Sequence, residues 1–150
     1  MLKHLLPCSV LAMAASLATS AQASDGLGVF RENCIACHQA EGKGTPGLAP
    51  ALVGPHWSSL SKAPEHYILQ VLASGLVGKV VVNGEGYNGA MPSFKQLSAQ
   101  DVAAVANYVL ALNQVAAPVA PLVAADVSAA RDKNLKGAQV RILRHSLVKD

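Results

Sequence analysis

The feature that most constrains this chain is the pentapeptide Cys34-Ile35-Ala36-Cys37-His38. Its two thiols stand about one helical turn apart, and an imidazole follows the second thiol directly. Cysteines at this spacing occur in redox-active dithiols, in halves of zinc sites and in thioether attachment sites for haem. The rest of the sequence has to distinguish these three kinds of site.

Two of the three fit the sequence poorly. A thioredoxin-like dithiol belongs to a βαβ pattern, whereas this chain is rich in helical patterns. A zinc site needs further cysteine or histidine ligands at zinc-finger spacing, which the sequence lacks. The sequence therefore predicts one haem c, bound covalently through Cys34 and Cys37, with His38 as an axial ligand of the iron.

Residues 1–23 have the pattern of a secretory signal peptide. An apolar stretch runs from Leu5 to Ala18, and Ala21-Gln22-Ala23 provides an A-x-A cleavage site. A membrane anchor is the alternative, but the apolar stretch is shorter than the roughly 20 residues that span a bilayer. We expect cleavage after Ala23, export to the periplasm and a mature chain without a membrane span.

Met91 is the strongest candidate for the second axial ligand. It is the one methionine left after removal of residues 1–23, and it precedes Pro92 in a glycine-rich segment just before the last helix of the domain. A thioether is a soft, neutral ligand that raises the reduction potential of a haem. The other candidates are His56, His66 and His145, for which the sequence gives no comparable argument.

Size and composition exclude several classes of protein. The chain has 150 residues, of which 51% are hydrophobic and only 4% aromatic, so a multidomain enzyme is excluded. A net charge of +3, without an arginine-aromatic cluster, gives no sign of nucleic-acid binding.

Local patterns predict a mostly helical domain. The predicted elements are a helix over 26–36, an ordered loop over 42–55, a helix that opens at Pro64-Glu65 and stops at Gly75, a hairpin over 80–87 with an Asn83-Gly84 turn, and a helix over 99–112. Ser98 and Asp101 resemble a capping box for that last helix.

A proline- and alanine-rich stretch over 116–121 marks a boundary, which gives a domain over 24–113 and a tail over 114–150. The domain carries five basic and six acidic side chains, and the tail six basic and three acidic ones. Within the tail, Leu122, Val127 and Arg131 recur as Leu135, Val140 and Arg144, thirteen residues later. Two short amphipathic helices are expected. We predict that they form a docking element for a partner rather than part of the domain's fold; the alternative is a tail that is solvated or packs on the same chain.

Residues 24–113 resemble a class I cytochrome c of the bacterial periplasm. The matching positions are Gly26, Phe30, the Cys34–His38 motif, Pro50-Ala51-Leu52, Met91-Pro92 and Tyr108. The Tyr87–Pro92 segment further resembles the cytochromes that serve periplasmic dehydrogenases and copper nitrite reductases.

This resemblance implies an all-α fold around a single haem c, in which the first and last helices cross and Gly26 and Phe30 meet Tyr108. A small β-hairpin precedes the methionine ligand loop, and a helical C-terminal tail follows the fold. The resemblance also implies that Pro50 supports His38 by accepting a hydrogen bond from its imidazole.

The expected function is one-electron transfer between periplasmic redox proteins, by a carrier that is not itself an enzyme. Met91 argues against a haem enzyme or a gas sensor, because both need an open sixth position on the iron. The alternative is a fixed subunit of a periplasmic dehydrogenase complex, docked through the C-terminal tail. Ile35, Pro46, Leu48 and Pro92 are expected to form a neutral docking patch near the haem edge.

Overall fold

The computed structural model describes residues 24–64, 66–114 and 120–148. The helices in these ranges are α1 (Gly26–Asn33), α2 (Ile35–His38), α3 (Trp57–Leu60), α4 (Tyr67–Ser74), α5 (Ala99–Leu112), α6 (Ala124–Asp132) and α7 (Gly137–Leu147). A 3-10 turn spans Ala40–Gly42, and strands β1 (Leu76–Val82) and β2 (Glu85–Met91) form one sheet. This mostly helical architecture agrees with the expected fold class. The expected signal peptide, residues 1–23, lies outside the described residues.

The first predicted helix is divided into two. Asp25 caps α1, its side chain accepting a backbone N–H at 3.1 Å. The helix predicted to continue to residue 36 is interrupted at Cys34, where φ is −121°, and α2 then runs to His38. The interruption leaves Cys34 buried and Cys37 exposed, although both belong to the same motif.

Helix α1 packs closely on α5. A methyl group at Gly26 would overlap the carbonyl oxygen of Ala104, so the two backbones approach as only a glycine permits. One turn further along α1, the rings of Phe30 and Tyr108 lie with their centroids 5.1 Å apart. These contacts join the two ends of the predicted domain.

Helix α5 has the predicted bounds and the predicted cap. The Ser98 hydroxyl oxygen accepts the Asp101 N–H at 3.0 Å and donates its own proton to the Asp101 carboxylate at 2.7 Å. The first bond satisfies one of the backbone donors that an α-helix leaves unpaired at its start, and the second joins the two side chains. The face of α5 toward the core consists of small and β-branched side chains: Val102, Ala103, Val105, Ala106 and Val109.

Helix α4 is buried on more sides than a helix with a single apolar stripe. It begins at Tyr67 rather than at the Pro64-Glu65 pair, and it ends at Gly75, which takes φ +73° as predicted for a C-terminal stop. Tyr67, Ile68 and Leu72 are buried, and Leu69 and Gln70 are also almost fully buried. Helices α6 and α7 cover this additional surface of α4.

The hairpin is longer than predicted. Its strands pair from Leu76 opposite Met91 to Val82 opposite Glu85, and Asn83 and Gly84 form the turn with φ of 52° and 81°. The turn prediction is confirmed. Met91 is the last residue of β2, not part of a loop after a shorter hairpin. Helix α7 packs on β1 and so supports the longer ladder.

The tail packs into the core of the domain. Leu122, Val127 and Val140 are at most 4% exposed and belong to the same apolar cluster as Phe30. Residues 120–148 therefore share one apolar core with residues 24–113, although their composition and charge predict a separate docking element. The apolar sides of α6 and α7 bury against α4, α5 and β1 of the same chain. Each buried valine contributes about 1.5–3 kcal/mol to the stability of this packing.

Polar contacts fix the tail at three places. Asn107 on α5 donates to the Leu122 carbonyl and accepts the Leu122 N–H, both at 2.9 Å. Arg131 donates to the carbonyl of Leu97 at 2.8 Å, and Arg144 to the carbonyl of Val81 at 2.9 Å. The thirteen-residue repeat therefore corresponds to two helices that each direct an arginine at a backbone carbonyl of the domain.

None of the helices within the described ranges is both long enough and apolar enough to cross a bilayer.

Candidate functional site

An apolar cavity of about 190 Å³, called the central cavity below, collects the residues that the sequence singled out. Its lining includes Cys34, Cys37, His38, Pro50 and Met91. Cys34 lies at the break before α2, Cys37 and His38 belong to α2, Pro50 lies in the loop after it, and Met91 ends β2. These five residues are up to 57 positions apart in the chain but share one cavity.

His38 is buried with a defined orientation. It is 5% exposed, and its Nδ1 lies 2.9 Å from the Pro50 carbonyl oxygen. A carbonyl only accepts, so Nδ1 carries the proton and Nε2 keeps its lone pair. Burial lowers the pKa of His38, while the hydrogen bond to Pro50 opposes this shift. The imidazole is thus neutral near pH 7 and able to bind a metal through Nε2.

The loop that carries Pro50 is held by α5. The side-chain amide of Asn113 donates to the Leu52 carbonyl at 2.8 Å, and its oxygen accepts the Gly54 N–H at 3.0 Å. These bonds position the loop against the end of α5, and thereby the carbonyl that orients His38.

No disulfide joins the two cysteines of the motif. Burial, and to a smaller extent the charge of Cys37, raises the pKa of Cys34 to about 11. A reactive dithiol requires the opposite shift, because the thiolate is the nucleophile in disulfide exchange. Across the described residues, no three histidine, cysteine or acidic side chains come together as a metal site. Both alternatives to haem attachment therefore lack the environment they need.

Met91 is partly buried at the end of β2 and belongs to the edge of the main core. Its backbone pairs with Leu76, and its carbonyl oxygen lies so close to Gly75 that a Cβ there would be 2.6 Å away. The C-terminus of α4 and the sheet together fix the backbone of Met91 at the cavity.

The three other candidate ligands among the histidines, His56, His66 and His145, occupy different places. His56 lines the central cavity beside Trp57, with ring centroids 5.8 Å apart. His66 precedes α4 with φ of 48°, and His145 lies on the exposed side of α7; neither lines the cavity.

Three polar residues of the cavity were not assigned a role from the sequence: Trp57, Tyr67 and Arg144 are each at most 5% exposed. Burial raises the pKa of Tyr67 to about 12, against the opposing effects of the charge of Arg144 and of a hydrogen bond to it. Trp57 Nε1 and Arg144 Nε have no hydrogen-bond partner within the described ranges. The sequence signals for these roles were that Trp57 is the one tryptophan of the chain and that Arg144 belongs to the thirteen-residue repeat. Neither signal shows toward which part of the fold the side chain points.

This set of groups fits a haem. Two thiols at one side suit thioether bonds, an imidazole and a thioether suit the two axial positions of an iron, and the apolar lining suits a porphyrin face. Unused indole and guanidinium N–H groups suit the carboxylates at a haem's polar edge. Among the described residues, no aspartate or glutamate lines the cavity.

Comparison with known proteins agrees with this geometry. A family model described as Cytochrome c matches residues 23–113. Two proteins named cytochrome c-552, one from Thermus thermophilus and one from a particular strain of the same species, are 37% and 38% identical over 128 residues; each alignment covers 83% of this chain, and 97% and 86% of the respective relatives.

A protein named cytochrome c6 from Microcystis aeruginosa is 35% identical over 88 residues, which are 58% of this chain and 93% of that relative. The family match covers more than half of the chain, and it includes the cysteines, the histidine and the methionine that line the central cavity. The chain belongs to the cytochrome c family.

Proposed function

We propose that this protein is a one-electron carrier whose haem c is bound through Cys34 and Cys37, with the iron held between His38 and Met91. Membership of the family establishes a haem-based electron carrier with a covalently bound haem c. The residue assignments rest on one observation, namely that all four side chains line the same apolar cavity.

His38 is suited to be a permanent ligand. Its Nδ1–H bond to Pro50 fixes both the tautomer and the direction of Nε2, as in other metal-bound histidines with a backbone partner. Burial keeps the ring neutral, so no proton has to leave before Nε2 binds. We infer that Pro50 adjusts the basicity of this ligand.

Met91 is suited to be the second ligand because its backbone is held on two sides. A thioether binds iron weakly and without charge, and a rigid backbone compensates for that weakness by keeping the sulfur in place. With both axial positions filled from the chain, the protein does not have to rearrange when its charge changes by one electron. The haem supplies the reversible change between ferrous and ferric iron.

The crossing of α1 and α5 belongs to the same proposal. The contact at Gly26 and the tilted ring contact between Phe30 and Tyr108 support a crossed pair that closes one side of the haem site.

Electrons would leave near the exposed thioether edge. Cys37 is exposed there, and Leu48 is 63% exposed at the lip of the cavity. Pro46 and Pro92 are exposed as well. One carboxylate, that of Glu85, lies beside this patch and accepts the Gly47 N–H at 3.2 Å. A small and mainly apolar patch of this kind suits the brief encounters of redox proteins. We propose that its partners are periplasmic redox proteins, such as dehydrogenases or nitrite reductases, reached after export and cleavage behind Ala23.

The alternative was a fixed subunit of a dehydrogenase complex, docked through its tail. Its main support is the basic tail of 37 residues, which a free carrier does not need. Val127 and Val140 of that tail are now accounted for by packing inside the chain, which favours the free carrier.

The ligand assignment is tested with two separate variants at paired positions of the sheet, one that removes a thioether and one that adds it. Met91→Leu removes the sulfur with little change in volume, whereas Leu76→Met adds a sulfur on the opposite strand. The oxidised wild-type protein should have a weak far-red sulfur-to-iron absorption band. Met91→Leu should lose this band and have a lower reduction potential, while Leu76→Met should keep the band. A far-red band that persists in Met91→Leu would identify another residue as the ligand.

A further inference from the structure

We propose that Glu85 is a positioning residue for electron transfer, whose carboxylate fastens the tip of the loop over residues 45–49 to strand β2. We call these five residues the lip loop, because Leu48 at its tip lies at the lip of the central cavity. The inference rests on the proposed function, since it requires electrons to leave the haem through the apolar patch around Leu48. It assigns a role to the carboxylate that lies beside that patch.

The lip loop is anchored at its base to the Cys34–His38 motif. The Thr45 hydroxyl donates to the Cys37 carbonyl at 2.9 Å and accepts the side-chain amide of Gln39 at 3.0 Å. The two ends of the loop also pair with each other, since the Thr45 N–H donates to the Ala49 carbonyl at 2.8 Å and the Ala49 N–H donates back at 2.9 Å. These bonds fix where the loop begins and ends, but not the position of its tip, residues 46–48.

The tip is joined to the hairpin by Glu85, the first residue of β2. One carboxylate oxygen of Glu85 accepts the Gly47 N–H at 3.2 Å, and the other accepts the Tyr87 hydroxyl at 2.7 Å. Side-chain packing does not hold the tip at Gly47, because a methyl group there would meet no atom within 4 Å. A single carboxylate thus connects the loop to a strand that follows 38 residues later in the chain.

Tyr87 fixes the direction of this carboxylate. Its side chain is buried with Val80 and Val82 in a small apolar cluster, and it lines the central cavity as Leu48 does. The hydrogen bond to Glu85, with smaller effects of burial and of the charge of the carboxylate, raises the pKa of Tyr87. The hydroxyl therefore keeps its proton near pH 7 and remains a donor to Glu85. A buried ring holds one oxygen of the carboxylate, and the other oxygen holds the tip.

A fixed tip affects electron transfer because Leu48 has to be in place when a partner arrives. Leu48 is 63% exposed, so its own chain does not bury it. A loose side chain at an interface has to be ordered in every encounter, which costs free energy, and redox encounters bury little area that could offset this cost. We therefore expect Glu85 to accelerate electron transfer by ordering Leu48 before docking.

The charge and the hydrogen bonds of Glu85 have opposite effects when two copies of this protein exchange an electron. Both copies would dock through the same patch, so two carboxylates of like charge approach each other and slow the encounter. Removal of the charge alone should therefore accelerate the exchange. Release of the tip should slow it, because the loop is loosened in both molecules at once. Electron self-exchange separates these effects and requires no second protein.

The test compares Glu85→Ala with Glu85→Gln in the full-length holoprotein, by the self-exchange rate obtained from NMR line widths in mixtures of oxidised and reduced protein. Glutamine loses the charge but can accept the Gly47 N–H and donate to the Tyr87 oxygen, whereas alanine loses the charge and both bonds. Glu85→Gln should exchange at least as fast as the wild type. Glu85→Ala should be slower than Glu85→Gln by about fivefold or more. Equal rates in the two variants would overturn the proposal.

Amide hydrogen exchange of Gly47 in the reduced protein tests the contact itself. The Gly47 N–H should be protected in the wild type and in Glu85→Gln, and should lose this protection in Glu85→Ala. An unprotected Gly47 N–H in the wild type would contradict the proposal even if Glu85→Ala does not fold.

Reduction by ascorbate serves as a control, because a small reductant does not dock through the lip loop. Glu85→Ala and Glu85→Gln should be reduced at equal rates. A slower reduction of Glu85→Ala would place its effect at the haem rather than at the loop and would also overturn the proposal. Failure of the proposed function is recognised separately, since the far-red band would then be absent from the wild-type protein.

Discussion

At the scale of single residues, two asparagines on α5 and at its end organise the surroundings of the central cavity. Asn113 holds the loop of Pro50, which in turn orients His38. Asn107 binds both backbone groups of Leu122, where the tail meets the domain. In each case one side-chain amide supplies both a donor and an acceptor to a chain segment without regular structure. That pairing satisfies backbone groups that burial would otherwise leave unbonded.

Asn107→Ala is expected to reduce the free energy of unfolding by about 1–3 kcal/mol, because two hydrogen bonds are lost and the backbone groups of Leu122 become unpaired. Denaturant unfolding of the oxidised holoprotein measures this loss. Asn107→Asp is the matched variant: its carboxylate still accepts the Leu122 N–H, but its second oxygen repels the Leu122 carbonyl oxygen, so at neutral pH the loss should be at least as large. Equal stability of Asn107→Ala and the wild type would mean that the tail is not held at this point.

The difference between local and distant partners also explains which site residues the sequence could predict. Cys34, Cys37 and His38 form one contiguous motif, and Met91 was distinguished by its uniqueness and by the neighbouring proline. Arg144 is directed into the cavity by the packing of α7 on β1. No local pattern encodes that direction, because the partner surface lies more than 50 residues earlier in the chain.

At the scale of secondary-structure elements, the sequence predicted those helix ends and that turn which are fixed by interactions within a few residues. The Ser98 cap, the Gly75 stop and the Asn83-Gly84 turn are all bonds or dihedral angles within a few residues. The break at Cys34, the length of the hairpin and the burial of α4 depend on contacts with other elements. The last of these was not predictable from α4 alone, because α6 and α7, which cover it, come from the distant tail of the chain.

The close approach of α1 and α5 provides a prediction at this scale. Gly26→Ala should destabilise the protein by about 1–3 kcal/mol, because the added methyl group overlaps the Ala104 carbonyl and forces α1 away from α5. Gly28→Ala is the control on the same helix, since its methyl group would meet only the end of the Asp25 side chain, at 3.0 Å.

Thermal unfolding of the two glycine variants separates packing from helix propensity. Alanine is the better helix former by about 0.5–1 kcal/mol, so Gly28→Ala should be neutral or slightly stabilising. Similar melting temperatures for both variants would contradict close packing of α1 on α5.

At the scale of the whole molecule, the tail and the domain form one core around one cavity. The domain brings the thiols, the imidazole and the thioether, and α7 closes the cavity with a buried cation. The net positive charge of the tail is therefore not only a surface property, since one of its arginines lies inside. The lip of the cavity stays apolar and exposed at Leu48, so the proposed route for the electron is open while the axial ligands are enclosed.

An optical redox titration of the purified wild-type holoprotein tests the central claim most directly. The account predicts a single reversible transition with the slope of a one-electron couple, in which the far-red sulfur-to-iron band disappears on reduction and returns on oxidation. It also predicts that carbon monoxide leaves the spectrum of the reduced protein unchanged, because His38 and Met91 occupy both axial positions. A reduced protein that binds carbon monoxide at once, or an oxidised protein without the far-red band, would contradict the account.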